Sequence, residues 1–304
     1  MESEDARFGD MKLRSLYRMA VPTGAASLML SGCESVILNP KGSIGLQEKS
    51  LIATSTWAML LVVVPVIILT LCFAWRYRAS NRNATYAPHW SHSTAIAIVV
   101  RIVPTAIIVY LAVLTWKTTH SLDPYRPLNS PVKPIDVDVV ALDWKWLFIY
   151  PDIGIASVNQ LAVPIGTPIN FHITSDSVMN SFFIPQLGGQ IYAMAGMQTR
   201  LHLIADQPGN YAGMSANFSG KGFSDMKFRT LAMNPAEFDA WTRKVKASSQ
   251  RLNMDEYHEV AQPSEKNPVQ YFSSVDPKLF HNIIAKYNDG HVLDPQDAAC
   301  GTKG

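Results

Sequence analysis

The sequence predicts a membrane-anchored all-β protein, and three features of it lead there. Two apolar segments before residue 117 are each long enough to cross a bilayer. Beyond them, short runs of alternating apolar and polar residues are punctuated by Gly and Pro, the pattern of a β-sandwich or barrel. After Met233 that pattern gives way to helix-start signals.

A leader precedes the first span. Lys12, Arg14 and Arg18 stand before the mostly apolar Met19–Leu30, and Leu30-Ser31-Gly32-Cys33 closes the stretch. Basic-then-apolar leaders of this length are targeting segments rather than parts of a fold, so residues 1–32 are expected to be a signal peptide. The small residues before Cys33 resemble the lipobox of bacterial lipoproteins. There the thiol is alkylated by diacylglycerol and becomes the new N-terminus. Acyl burial contributes about 0.8 kcal/mol per CH₂, so this anchor supplements membrane spans rather than replacing them.

The first span, Ser50–Trp75, holds 26 residues and no charge. At about 1.5 Å per residue it crosses a hydrocarbon core of about 30 Å with room for tilt. Trp57 and Trp75 are expected near its ends, where indoles favour the interface, and Pro65 is expected to kink it. The second, Ala95–Trp116, holds 22 residues with Pro104 inside and Arg101 near its start, where the guanidinium can snorkel to the headgroups. Arg76, Arg78 and Arg82 lie between the spans, and no acidic residue occurs from Arg76 to Val100. The positive-inside rule makes that loop cytoplasmic and sends Cys33 and everything after Trp116 outside. The lipobox requires the same orientation.

Charge and cysteine content exclude other classes. A net charge of +2 with no basic stripe leaves no nucleic-acid footprint. Cys33, Cys72 and Cys300 lie in separate segments, so neither a disulfide framework nor a zinc site is indicated. Cys72 reads as a small packing residue and Cys300 as an incidental thiol.

The water-soluble part opens with Pro124, Pro127, Pro131 and Pro134, a stiff lead-in. Ile135, Val137, Val139 and Ala141 then alternate with their neighbours as in a half-buried strand, as do Ile169, Phe171 and Ile173, and Leu201 with Leu203. Asn234-Pro235-Ala236-Glu237 is a helix start with cap, proline at N1 and acid at N3. Asp276-Pro277 offers another before Leu279, Phe280, Ile283 and Ile284. The expected organisation is a signal peptide over 1–32, the anchored N-terminus and hairpin over 33–122, a β domain over 123–233, a helical extension over 234–287 and a disordered tail over 288–304.

Two spans behind a lipidated N-terminus, followed by an external β domain, resemble subunit II of the haem-copper respiratory oxidases. The resemblance implies a periplasmic cupredoxin-like β-sandwich after a two-helix transmembrane hairpin. In copper-bearing members this sandwich holds a two-copper centre bridged by two thiolates and completed by two imidazoles, a thioether and a carbonyl. The family's ligand loop has a glycine, cysteines two and six residues later, a histidine at ten and a methionine at thirteen. Counted from Gly213, those positions are Ser215, Ser219, Phe223 and Met226. The family's earlier histidine precedes a Pro-x-x-Gly step, and here Asn180 stands there, before Pro185-Gln186-Leu187-Gly188. Only Met226 is kept. Met179, Met194, Met197 and Met214 nearby read as core filler, with His172 and His202 on opposite-facing strand positions.

Loss of the copper ligands with the scaffold retained is similar to the quinol-oxidising, cytochrome bo-type branch. Runs such as F-A-W-R-Y-R-A-S-N, D-W-K-W-L-F-I-Y-P and S-V-M-N-S-F-F-I-P carry that likeness over long stretches. It implies a non-catalytic subunit II of a proton-pumping ubiquinol oxidase in a bacterial inner membrane, with no redox centre of its own. Haems and one copper are expected in partner subunit I, and subunits I, III and IV and membrane lipid as partners, with ubiquinol the substrate of the complex. Trp144 and Trp146 fall in the aromatic region that carries electrons in copper-bearing relatives; without a donor copper they are expected to serve packing or a subunit interface. Ala97 stands where the likeness places a proton-conducting glutamate, which points proton uptake toward His92 or subunit I. The competing readings are a copper-bearing cytochrome c oxidase subunit II and a free-standing lipid-anchored cupredoxin-like binding module.

Overall fold

The computed structural model describes residues 35–85, 89, 91 and 93–288. Cys33, His92, Cys300 and the expected tail beyond residue 288 lie outside the described residues. The chain falls into two units divided after Asn39. Of the first, the described part is a single 3₁₀ turn over Val36–Leu38.

The second unit begins with two long helices, α1 over Ser43–Arg76 and α2 over Thr94–Ser121. Between their polar ends both are apolar around the helix, Arg101 excepted, and their large side chains, Trp57, Leu61, Leu71, Ile108 and Trp116 among them, are exposed in the chain alone. An all-round apolar helix with no protein cover is built for lipid or for partner helices. Both continue unbroken through their prolines, Pro65 and Pro104. Because α1 starts at Ser43 rather than Ser50, Trp57 lies well inside the helix and not near its end, a correction to the sequence reading.

The extra turns have a structural reason. Gly45 is buried, and its N–H, one of the donors a helix start leaves unpaired, donates to the Leu187 carbonyl at 3.0 Å. Lys41 N–H donates to Gln186 O at 2.7 Å, and Ile44 packs on the domain core. The head of α1 is therefore seated in the β domain, on the Pro185–Gly189 turn.

That domain is a sandwich. Its first sheet is ordered β11-β3-β2-β1-β5-β8: β1 Ile135–Leu142, β2 Lys145–Tyr150, β3 Ile155–Val158, β5 Pro168–Ser175, β8 Thr199–Ile204 and β11 Gln270–Phe272. The second runs β4-β10-β9-β6-β7: β4 Gln160–Pro164, β6 Asn180–Phe183, β7 Ile191–Ala193, β9 Gly209–Ser215 and β10 Lys227–Met233. Pairing is antiparallel except for β1 with β5 and β4 with β10. Between the sheets lies an aromatic core in which Phe182 stacks on Phe228 at 5.2 Å and Trp146 meets both edge-on at 5.3 and 5.7 Å. Each such pair adds about 0.5–1.5 kcal/mol beyond area burial.

The C-terminal region is not a loose appendix. Helix α3, Pro235–Lys246, starts with the capping box predicted from Asn234 and Glu237, and buries Phe238, Trp241 and Val245 on the sandwich core. Helices α4, Met254–Ala261, and α5, Leu279–Ala285, build a second core with the outer face of the first sheet, joining Tyr257, Leu279 and Ile283 to Val140, Leu142 and Leu147. Strand β1 is thus buried on both faces at its C-terminal end, where alternation had suggested one. The start signal at Asp276-Pro277 makes a turn, its Asp276 side chain accepting from Lys278 N–H at 2.9 Å, and α5 follows.

Candidate functional site

Sequence counting singled out the loop end of the sandwich, and the strands converge there. Ser215 Oγ and Asn180 Oδ1 are 3.0 Å apart, and Ser181 N–H points at Ser215 Oγ at 3.4 Å. Ser215 N–H donates to Met226 O at 3.2 Å, and Ser219 Oγ lies 3.8 Å from Met226 Sδ. Asn180, Ser215 and Met226 are all buried. Four of the five positions therefore meet. The fifth, Phe223, turns its ring instead to Phe218, edge-on at 5.6 Å.

Other contacts close the same end. Asn217 Nδ2 donates to Met179 O at 3.0 Å, tying the loop after β9 to the loop before β6. Trp144 takes a left-handed φ of 62°, and its indole N–H donates to Ser219 O at 3.1 Å. Its ring lies so close to Gly222 that a Cβ there would come within 2.5 Å of it, so the glycine is what admits the indole. Trp146 is fully buried in the core, which removes it as an interface residue: it serves the packing alternative, with its indole N–H unpaired among the described residues. Met179 is 43 % exposed and so is not the core filler expected. It shares the surface with Val178 and Phe218, the latter 75 % exposed.

The histidines also fall otherwise than expected. Asn170 pairs with His202, and His172 with Arg200, so both imidazoles share the outer face of the first sheet. His172 Nδ1 lies 3.1 Å from Asp138 Oδ1. Burial pushes the Asp138 carboxyl up, against the pull of that histidine. Among the described residues no three His, Cys, Asp or Glu gather as metal ligands.

Two anchors that sequence reasoning missed fasten the C-terminal helices to this end. Asp176, with a side chain only 3 % exposed, accepts from Tyr257 at 2.6 Å, Lys286 at 2.7 Å and Tyr287 at 2.8 Å. Burial, reinforced by Asp176, drives both phenols upward in pKa, and the Asp176 bond raises Lys286. Asn288 adds a side-chain bond to Gly196 O. The second anchor is Lys145, buried in the hairpin between Trp144 and Trp146. Its ammonium donates to Val260 O at 2.8 Å and Gln262 O at 2.7 Å, at the C-terminus of α4, where a cation is favoured. Burial lowers its pKa. The available signal was a charge set between two tryptophans, with nothing local to name its partner.

Comparison with known proteins places this architecture. The family described as cytochrome c oxidase subunit II, periplasmic domain, matches residues 152–231, and the COX aromatic-rich motif matches residues 246–291, which contain the three donors to Asp176. The fold and its appended motif define a subunit II of the haem-copper oxidase class. Ubiquinol oxidase subunit 2 of Acetobacter aceti is 60 % identical over 287 residues, 93 % of each chain. Cytochrome bo(3) ubiquinol oxidase subunit 2 of Pseudomonas putida is 55 % identical over 276 residues, 91 % of this chain and 88 % of the relative. Quinol oxidase subunit 2 of Bacillus anthracis is 37 % identical over 258 residues, 83 % and 89 %. The chain belongs to the ubiquinol oxidase subunit 2 family.

Proposed function

We infer that the chain is the non-catalytic subunit II of a proton-pumping terminal ubiquinol oxidase, which reduces oxygen to water in aerobic respiration. The observation that carries this is the closed loop end, where Asn180 and Ser215 are bonded to each other. A two-copper centre needs soft thiolates and imidazoles. The residues at the five positions supply an amide, two hydroxyls, a phenyl ring and one thioether. Hydroxyls do not ionise near neutral pH and a phenyl ring has no lone pair, so this donor set does not fit the centre. Without it there is no relay from cytochrome c, and electrons pass from membrane quinol to subunit I directly. The relatives' names support quinol over the cytochrome c alternative.

The chain's own task is then to cap and orient subunit I, which would hold the haems and one copper, alongside subunits III and IV. Exposed Val178, Met179 and Phe218 at the loop end suit such a contact. We place the protein in a bacterial inner membrane with two spans, its β domain periplasmic, and Cys33 lipidated after removal of residues 1–32. Boundaries at 33–122, 123–233, 234–287 and 288–304 complete the organisation, although helices α3 to α5 share cores with the sandwich. Ala97 cannot relay a proton, so uptake falls to His92 or subunit I; unchanged uptake in His92→Ala would remove His92.

Purification decides the main reading. The complex should carry haem, oxidise quinol and leave reduced cytochrome c untouched; turnover of cytochrome c by the purified complex would overturn it. Mass spectrometry of the mature N-terminus should find acylated Cys33.

A further inference from the structure

Where α1 begins and α2 ends, a cavity of about 230 Å³ opens against the β domain, with Glu48, Asp123, Arg126, Gly189 and His202 on its wall. The Glu48 carboxyl sits beside the Gly189 backbone. A Cβ on residue 189 would lie 2.9 Å from Glu48 Oε1, so a side chain there would displace the flexible end of the acid. His202 Nδ1 lies 2.8 Å from the Pro124 carbonyl. A carbonyl only accepts, so Nδ1 carries the proton and Nε2 of the neutral ring is left as an acceptor. Asp123 uses one oxygen to receive Tyr125 N–H at 2.9 Å, leaving the other. Three acceptors thus line one cavity. Among the described residues Arg126 is the only lysine or arginine on its wall, and it forms no ion pair there.

We propose that this cavity holds the headgroup of a zwitterionic phospholipid bearing a primary ammonium. The ammonium offers three N–H donors to Glu48, Asp123 and His202 Nε2, and Arg126, on the same wall, takes the phosphate. A quaternary ammonium has no N–H to give and would call for an aromatic cage, while a purely anionic head would meet two carboxylates. Lipid is the source because the ends of both apolar helices set the cavity at headgroup depth, and Ile44 and Leu122 give it an apolar edge. The inference rests on the helices spanning a membrane and not on quinol oxidation, so the two can fail separately.

The test counts lipid, not turnover. The complex extracted in mild detergent is challenged with phosphatidylethanolamine, phosphatidylcholine or phosphatidylglycerol and weighed by native mass spectrometry. Phosphatidylethanolamine should stay bound under conditions that strip the other two. The double variant Glu48→Gln, Asp123→Asn should retain it about tenfold less, the change expected on losing a charge-assisted bond, with co-purifying partners unchanged. Equal retention of the three lipids, or of phosphatidylethanolamine by variant and parent, overturns the proposal. Should the variant not assemble, the parent complex is cross-linked with phosphatidylethanolamine carrying a photoactivatable headgroup. Adducts in residues 44–48 or 121–129 are expected, and adducts only elsewhere overturn it. Soluble glycerophosphoethanolamine should not compete at the lipid's concentration; equal competition would overturn the lipid assignment.

Discussion

Lys145 shows how much one side chain can hold. Its ammonium satisfies two carbonyls at the end of α4 from inside a hairpin 115 residues earlier in the chain. Replacement by methionine keeps the stem but orphans both acceptors, and each buried unsatisfied group costs about 1–3 kcal/mol. Lys145→Met should therefore lower the stability of the domain by about 2 kcal/mol and speed proteolysis within residues 246–288, read by thermal melting and by mapping the first cuts. At this scale the sequence was legible where a family spacing could be counted: Asn180, Ser215, Ser219 and Met226 do come together. It was opaque where the partner is remote. Nothing beside Lys145 or Asp176 announces Val260 or Tyr257, and nothing in D-W-K-W says that Trp146 points inward while Trp144 lies over the loop at Gly222.

Among the elements, α4 and α5 depend on the Asp176 clamp. Both phenols and Lys286 have pKa values raised in the folded chain. A group held protonated by folding contributes fully below its unfolded pKa, about 10 for these residues, and that contribution is lost as pH rises toward the folded value. Protection from hydrogen exchange in residues 254–288, corrected for the intrinsic rise of exchange with pH, should thus hold from pH 7 to about 9 and fall above about 10. Tyr257→Phe should weaken the clamp already at pH 8, because Asp176 then loses its shortest bond. The elements themselves were unevenly readable. Helix α3 carries its capping box in sequence, and β1, β5 and β8 carry alternation. Helix α4 has eight residues and one capping side chain, Asn253, too little periodicity to stand out. Strand β11 is three residues long and exists only because β3 offers it an edge.

For the whole molecule, the seated head of α1 ties the first long apolar helix to the sandwich. The 34 residues of α1 reach about 50 Å, longer than a hydrocarbon core by more than its seated turns require. A cysteine at Ser80, between the helices, and one at Ser130, beyond them, should react with a membrane-impermeant thiol reagent from opposite sides of the bilayer. Labelling of both from one side would refute the hairpin. The two long apolar helices were plain from composition. Their true starting point was not, because Ser43–Lys49 is polar enough to read as a loop and is helical through its contacts with the Pro185–Gly189 turn.

The bond between Asn180 and Ser215 also bears on how the protein is manufactured. A loop end completed by an imported ion is unfinished until a delivery system reaches it. Here an amide and a hydroxyl encoded in the chain do the closing, so on the proposed reading the β domain needs no delivered ion to finish folding once translocated. Cells starved of copper should still bring it to a protease-resistant state at the normal pace, whatever becomes of its partner.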